Sequence, residues 1–276
     1  MKKFAKDRRF LLGLVIVLPI TFLAILQPIL PLPDPNKTNI PQRLAKPSKF
    51  HPLGTDEYGR DLFVRLLVGT RTSIAISFGA TVLAALTGTL IGIISACSTR
   101  FVETIAMRTV DIILAFPPIV LATVVVGLFG NNILNLVLTL GLLNLPGFAR
   151  LAYGSTKIIS SLAFIEAARA IGMTTYRLML KHIVPNIVSP LFVQFSLTVG
   201  SIILLESGLS FLGIGVKPPT ASLGQIIGRA RGYMALSPSY VLWPAVLLSL
   251  IILSFNLLGD AARDYMDPKI TRLRKP

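Results

Sequence analysis

Residues 162–186 read LAFIEAARAIGMTTYRLMLKHIVPN, a polar and basic island between two long apolar runs. Ile165 to Ile171 gathers good helix formers with a polar flank, and Gly172 then interrupts, as glycine does at a helix C-terminus. Thr174 or Thr175 can cap a second short helix at once. In it Tyr176, Met179, Leu180 and Ile183 fall at helical spacing on one face, and Arg177 and Lys181 form an i,i+4 basic pair on another. Pro185 stops or kinks that helix. The island is predicted to be a compact helix-turn-helix of a size to sit in a partner's groove; its plainer reading is an amphipathic loop with surface charges.

Away from the island the chain is strongly apolar. Of 276 residues, 53% are hydrophobic and 14% charged, with a mean hydropathy of +0.73. Those are the proportions of a bilayer-embedded protein. A formal charge of +15 in a soluble protein would point to nucleic acid. Here Lys and Arg cluster outside the apolar runs with no aromatic-basic stripe, which favours anionic lipid headgroups and an acidic partner face and excludes nucleic acid. Cys97, the single cysteine, cannot build a disulfide framework or a zinc site, and His51 and His182 are too few for a histidine-rich metal site. No metal is predicted to bind this chain.

Working outward, the expected boundaries are these. Residues 1–9 (Lys2, Lys3, Lys6, Arg8, Arg9) form a basic N-terminus, and 10–30 form a first span, read as an uncleaved signal anchor. Residues 31–72 form an external segment whose end carries an interfacial amphipathic helix through Phe63, Leu66 and Leu67. The clustered Asp56, Glu57 and Asp61 lack the alternate-position ligands and distal Glu of an EF-hand. Residues 73–262 hold five further spans, with a cytoplasmic loop at 157–186 and an external scoop at 206–238 containing a short helix around Leu223 to Arg231. Residues 263–276 form a basic tail. Gly88 and Gly92 offer a small-xxx-small packing face on the second span. In the third span Asp111 lies one turn inside, with Arg108 as nearest partner, and Pro117-Pro118 should kink the helix as suits a gate. Asn144, Gln194 and Ser196 are pathway candidates, though each is more often a helix-helix hydrogen bond. Short basic flanks place both termini and the 157–186 loop in the cytoplasm.

Glu166-Ala167-Ala168, Gly172 and Val184-Pro185 resemble, in type and spacing, the EAA loop of ABC importer permeases. His182 replaces the pattern's Ile and Val184 its Leu; both changes leave helix and kink intact. Three further stretches resemble the C-type permease subunit of dipeptide, oligopeptide and nickel importers. They are His51-Pro52-Leu53-Gly54-Thr55-Asp56 with Gly59-Arg60-Asp61, then Glu206 to Thr220, then Asn256 to Pro268.

The resemblance implies an all-α, six-span protein with the type I ABC importer permease (MetI-like) fold in a bacterial inner membrane. It implies ATPase coupling through Glu166, Ala167, Ala168, Arg169, Gly172, Arg177 and Pro185. It also implies a second permease subunit, two ATP-binding subunits that carry ATP and Mg, and an external solute-binding protein. The solute would be a peptide; nickel, a metal chelate or a glutathione-like compound are alternatives.

The chain has no Gly-rich loop ending in Gly-Lys-Ser/Thr, so ATP hydrolysis is not expected in it and no cofactor is assigned to it. An intramembrane hydrolase would need a Ser-His or two-Asp constellation within the bilayer. Neither histidine lies in a predicted span, and Asp111 is the only well-embedded carboxylate. A passive channel has no use for the EAA-like loop.

Overall fold

The computed structural model describes residues 7–266. Among them the regular structure is helical, apart from one isolated bridge between Thr55 and Asp61. Lys2, Lys3 and Lys6, and the tail from Asp267 with Arg272, Arg274 and Lys275, lie outside the described residues. The helices are α1 (Arg8–Leu26), α2 (Leu62–Cys97), α3 (Arg100–Leu114), α4 (Pro118–Phe129), α5 (Ile133–Ser160), α6 (Ala163–Ala170), α7 (Thr175–Leu178), α8 (Val184–Phe211), α9 (Leu223–Ala230) and α10 (Pro238–Met266). Among the described residues five segments are long and apolar enough to cross a membrane, and α3 with α4, bent by 92° between them, pass the same test only when taken together.

Helix α2 holds the bundle together, and its closest neighbour is α5. The small face at Gly88 and Gly92 explains the approach. A Cβ on Gly88 would stand 2.5 Å from the Leu145 carbonyl, and one on Gly92 would meet the Ala149 carbonyl and the Ala152 methyl. Only glycine lets two backbones come so near. Above this crossing Ile76, Ala80, Leu136, Leu140 and Ile202 form one buried cluster with Ala122 and Val126 of α4. Helix α1 lies outside, on α10, where a Cβ on Gly13 would come 2.9 Å from the Ser254 carbonyl. Its outward side chains, including Val15, Phe22 and Ile25, are exposed, as lipid-facing residues are in an isolated bundle.

Four expectations need correction. Phe63, Leu66 and Leu67 do not form a separate interfacial helix but begin the 36-residue α2, which Asp61 caps by accepting from the Val64 N–H at 3.0 Å. Arg65, within the first turn of α2, is buried and paired with Asp56 at 3.4 Å. Second, the third span is not a kinked helix carrying Asp111 one turn inside. Pro117 and Pro118 break the chain by 92°, and Asp111 sits on the separate α3 with its side chain 36% exposed. Two consecutive residues without N–H groups cannot continue a helical ladder.

Third, Pro185 does not end a helix. Residues 179–183 open into a π-helical turn, and Pro185 falls in the first turn of α8, where its missing N–H is tolerated. Fourth, the scoop begins later than residue 206, because α8 runs on to Phe211. The short helix near Leu223 is present as α9. Gly224 and Gly228 are close-approach residues rather than turn residues: a Cβ on Gly228 would come 2.7 Å from the Phe211 carbonyl, and one on Gly224 would strike the Ser207 backbone.

Candidate functional site

The island folds as an elbow. Helix α6 ends at Ala170 with Ile171 as its C-cap, and Gly172 adopts φ +84°, a left-handed conformation that side-chain-bearing residues rarely take. The Gly172 N–H donates to the Arg169 carbonyl at 2.9 Å and the Met173 N–H to the Ala168 carbonyl at 3.1 Å, which closes the helix end. Of the two threonines it is Thr174 that caps α7, accepting from the Arg177 N–H at 3.5 Å. Ile165, Ala168 and Leu178 are buried against one another and fix the angle between the two arms, with Met173 and Ile159 beside them.

Ala168 is therefore an inward-facing packing residue, not a surface on which a partner can rest. Ala167, Glu166, Arg169, Gly172, Arg177 and Pro185 are exposed. Among the described residues no acidic group pairs with Arg169 or Arg177, and no base pairs with Glu166. The apolar stripe expected through Tyr176, Met179, Leu180 and Ile183 is split. Ile183 and Leu178 are buried, while Tyr176 is 72% and Leu180 53% exposed. The π-helical turn adds a residue to the repeat and rotates the later face inward. Arg177 and Lys181 line a recess of about 460 Å³ together with Thr174, Tyr176 and Leu180. The elbow thus presents apolar and basic groups, without internal partners, at one end of the bundle.

The elbow is mechanically tied to the rest. Helix α5 leads into α6 through Ser161 and Leu162 alone. Two polar clasps join α5 to α3: Arg150 donates to Asp111 at 2.7 Å, and Lys157 donates to Glu103 at 2.9 Å. Tyr153 O–H also donates to Glu103. Arg108, expected as the nearest partner of Asp111, stands farther away at 3.8 Å. Pro117 and Pro118 mark the 92° break between α3 and α4.

The three pathway candidates are not gathered into one polar site. Asn144 donates to the Leu140 carbonyl at 2.8 Å, Gln194 to Thr198 Oγ1 at 3.2 Å and Ser196 to the Phe192 carbonyl at 3.1 Å, each within its own helix. No group of three or more metal-ligating side chains occurs among the described residues.

At the opposite end of the bundle lies an ionic network that sequence reading missed. Asp56 takes Arg60 at 2.5 Å, and Glu57 takes Arg229 of α9 at 3.2 Å and the hydroxyl of Tyr240 on α10. Asp56, Glu57, Arg60 and Arg65 are all buried. Buried charges of this kind need partners, and here each carboxylate has them. The cluster of charges was visible in the sequence, but its partners Arg229 and Tyr240 lie far along the chain. Beside the network, Glu206 is wholly buried and accepts from Ser73 at 2.9 Å and Ser210 at 2.7 Å.

The sequence pattern of binding-protein-dependent transport system inner membrane components matches residues 88–272. The chain belongs to that family. As an inner membrane component of this kind it is a multi-pass permease, and such permeases work with ATPase and binding-protein components. The glutathione transport system permease protein GsiD of Pectobacterium atrosepticum is 36% identical over 258 residues, covering 94% of this chain and 86% of the relative. The dipeptide transport system permease protein DppC of Alkalihalophilus pseudofirmus is 35% identical over 269 residues, covering 98% and 88%. The fold of this permease is shared with the inward facing MetNI methionine ABC transporter, at a TM-score of 0.61 and 19% identity, covering 75% of this chain and 98% of the other.

Proposed function

We propose that this permease subunit forms half of an ATP-driven import pathway for short peptides and receives its power stroke at the Glu166–Pro185 elbow. The single observation that carries the coupling role is the elbow itself. Its arms are locked by Ile165, Ala168 and Leu178, while Glu166, Arg169 and Arg177 face solvent without ionic partners among the described residues. Such a rigid charged knob orients against a complementary surface.

The partners in this reading are a second permease subunit, two ATPase subunits that hold ATP and Mg, and a solute-binding protein outside. The elbow and both termini lie in the cytoplasm of a bacterial cell, under the inner membrane. Closure of the ATPase pair moves α6, α5 carries the movement to α3 through Asp111 and Glu103, and the break at Pro117-Pro118 lets α4 swing. The bundle then moves between inward-open and outward-open states, a two-state equilibrium biased by ATP. Relatives named for dipeptides support a peptide solute, and relatives named for glutathione support a glutathione-like one; both are small, carboxylate-bearing and amide-containing.

The test is purification of the tagged chain from membranes with identification of what accompanies it, followed by ATPase and uptake assays with an altered elbow. Two ATPases and a second permease should accompany the wild-type chain, with peptide-stimulated ATP hydrolysis. A lone homo-oligomer indifferent to ATP would overturn the proposal in favour of a passive channel.

A further inference from the structure

A cavity of about 370 Å³ opens where the end of α8 turns into the scoop, at the end of the bundle opposite the elbow. Phe211, Leu212, Val216, Lys217, Gln225 and Arg229 contribute to its wall. Cavities of this size hold small ligands or their termini. Its charge is unbalanced. Lys217 is exposed and has no carboxylate within reach among the described residues. Arg229 gives one nitrogen to Glu57 at 3.2 Å, and a guanidinium has further N–H donors to offer.

The nearby carboxylates are already committed. Asp56 pairs with Arg60 and Arg65, Asp61 pairs with His51 at 2.8 Å, Glu57 serves Arg60, Arg229 and Tyr240, and Glu206 is enclosed by serine hydroxyls. The carbonyls at the end of α8 are also occupied, since Leu212, Gly213 and Ile214 N–H groups bond Gly208, Ser210 and Leu209. An anion entering the cavity therefore meets Lys217 and those Arg229 N–H groups that Glu57 does not engage.

Gln225 supplies a second, independent sign. It is 6% exposed; its Nε2 donates to the Val216 carbonyl at 2.8 Å, but its Oε1 is buried with no hydrogen-bond partner. A buried acceptor left without a donor is costly, and native proteins leave few of them.

We propose that this cavity binds the free carboxylate end of a short peptide. Lys217 and Arg229 hold the carboxylate, Gln225 Oε1 accepts from the last peptide N–H, and Phe211, Leu212 and Val216 cover the terminal side chain. This rests on the peptide-import reading and narrows it: an unblocked C-terminus becomes a requirement that the membrane subunit itself imposes.

The experiment uses the complete membrane complex in lipid nanodiscs, without binding protein, and measures binding of radiolabelled Ala-Ala-Phe and of its C-terminal amide. The free acid should bind at least tenfold more tightly than the amide. Lys217→Glu should erase that preference and Lys217→Arg should keep it; neither disturbs packing, because Lys217 is exposed and unpaired among the described residues. Equal affinity for acid and amide, no binding of either, or a preference that survives Lys217→Glu would each overturn the assignment. Uptake of the same tripeptide, with binding protein supplied, is scored in parallel. Uptake with an indifferent cavity removes the cavity assignment alone, whereas absence of uptake by the wild-type complex removes the peptide reading.

Discussion

Arg150 on α5 reaches across to Asp111 on α3 at 2.7 Å, closer than Arg108, which shares α3 with Asp111 and stands at 3.8 Å. The carboxylate thus binds two helices together instead of neutralising a charge within one. The pair is partly solvent-exposed, with side chains 55% and 36% accessible. An exposed pair contributes only about 0–1 kcal/mol to stability. Asp111→Asn should therefore leave the thermal unfolding of the purified complex nearly unchanged while lowering transport per ATP hydrolysed. The exchange Asp111→Arg with Arg150→Asp should recover part of the loss. Unaltered coupling in Asp111→Asn would mean that the clasp carries no motion.

Gly172 separates backbone need from space. Its φ is +84°, yet nothing lies within 4 Å of where a Cβ would stand. Gly172→Ala should then cost only the left-handed penalty of about 1–2 kcal/mol, confined to the elbow. Gly172→Pro cannot adopt that φ at all and should destroy the turn. Membrane insertion should survive in both. Co-purification of the ATPase subunits should weaken in the alanine variant and vanish in the proline variant, and Glu166→Lys should uncouple ATPase activity from transport. Normal transport by Gly172→Pro and Glu166→Lys would remove the docking assignment.

Glu57, paired with Arg60 of its own segment, joins residues 31–61 to α9 and α10 through Arg229 and Tyr240. Its loss leaves buried Arg60 without one of its two carboxylates and frees Arg229. Breaking a buried ionic contact on one side costs about 3–5 kcal/mol. Glu57→Gln keeps the volume and part of the hydrogen bonding, so it should fall at the low end of that range. The expected readout is a lower unfolding temperature together with faster protease cleavage within residues 31–61, compared with an exposed control such as Lys37→Gln.

Gly92 and Gly127 make a matched pair. A Cβ on Gly92 collides with α5, whereas Gly127 on α4 has nothing within 4 Å. Gly92→Leu should prevent the α2 and α5 crossing from forming and abolish accumulation of the complex. Gly127→Ala should be tolerated, with a gain of up to about 1 kcal/mol from helix propensity. Accumulation in membranes, followed by size-exclusion profiles, distinguishes the two.

Some of this molecule is local physics and was legible in the chain itself. Uncharged apolar runs can span a bilayer only as helices, because no water satisfies their backbone groups, so the all-α bundle follows from hydropathy. The elbow was equally readable: Gly172 tolerates a positive φ and Thr174 is a capping residue, and both act within a few bonds of their own position. The small face of Gly88 and Gly92 announced a close helix neighbour without saying which helix it was.

What depended on distance along the chain was decided by tertiary structure alone. Sequence spacing favoured Arg108 over Arg150 for Asp111, because contacts 39 residues apart leave no periodic trace. Arg65 can be buried at the start of α2 because the folded 31–61 segment brings Asp56 to it. The meeting of Glu57 with Arg229 and Tyr240, the serine shell around Glu206 and the unpaired acceptor of Gln225 all arise where α9 folds back onto α8. Local preference fixes which segments are helices; only packing decides which buried charges and polar groups find partners and which do not.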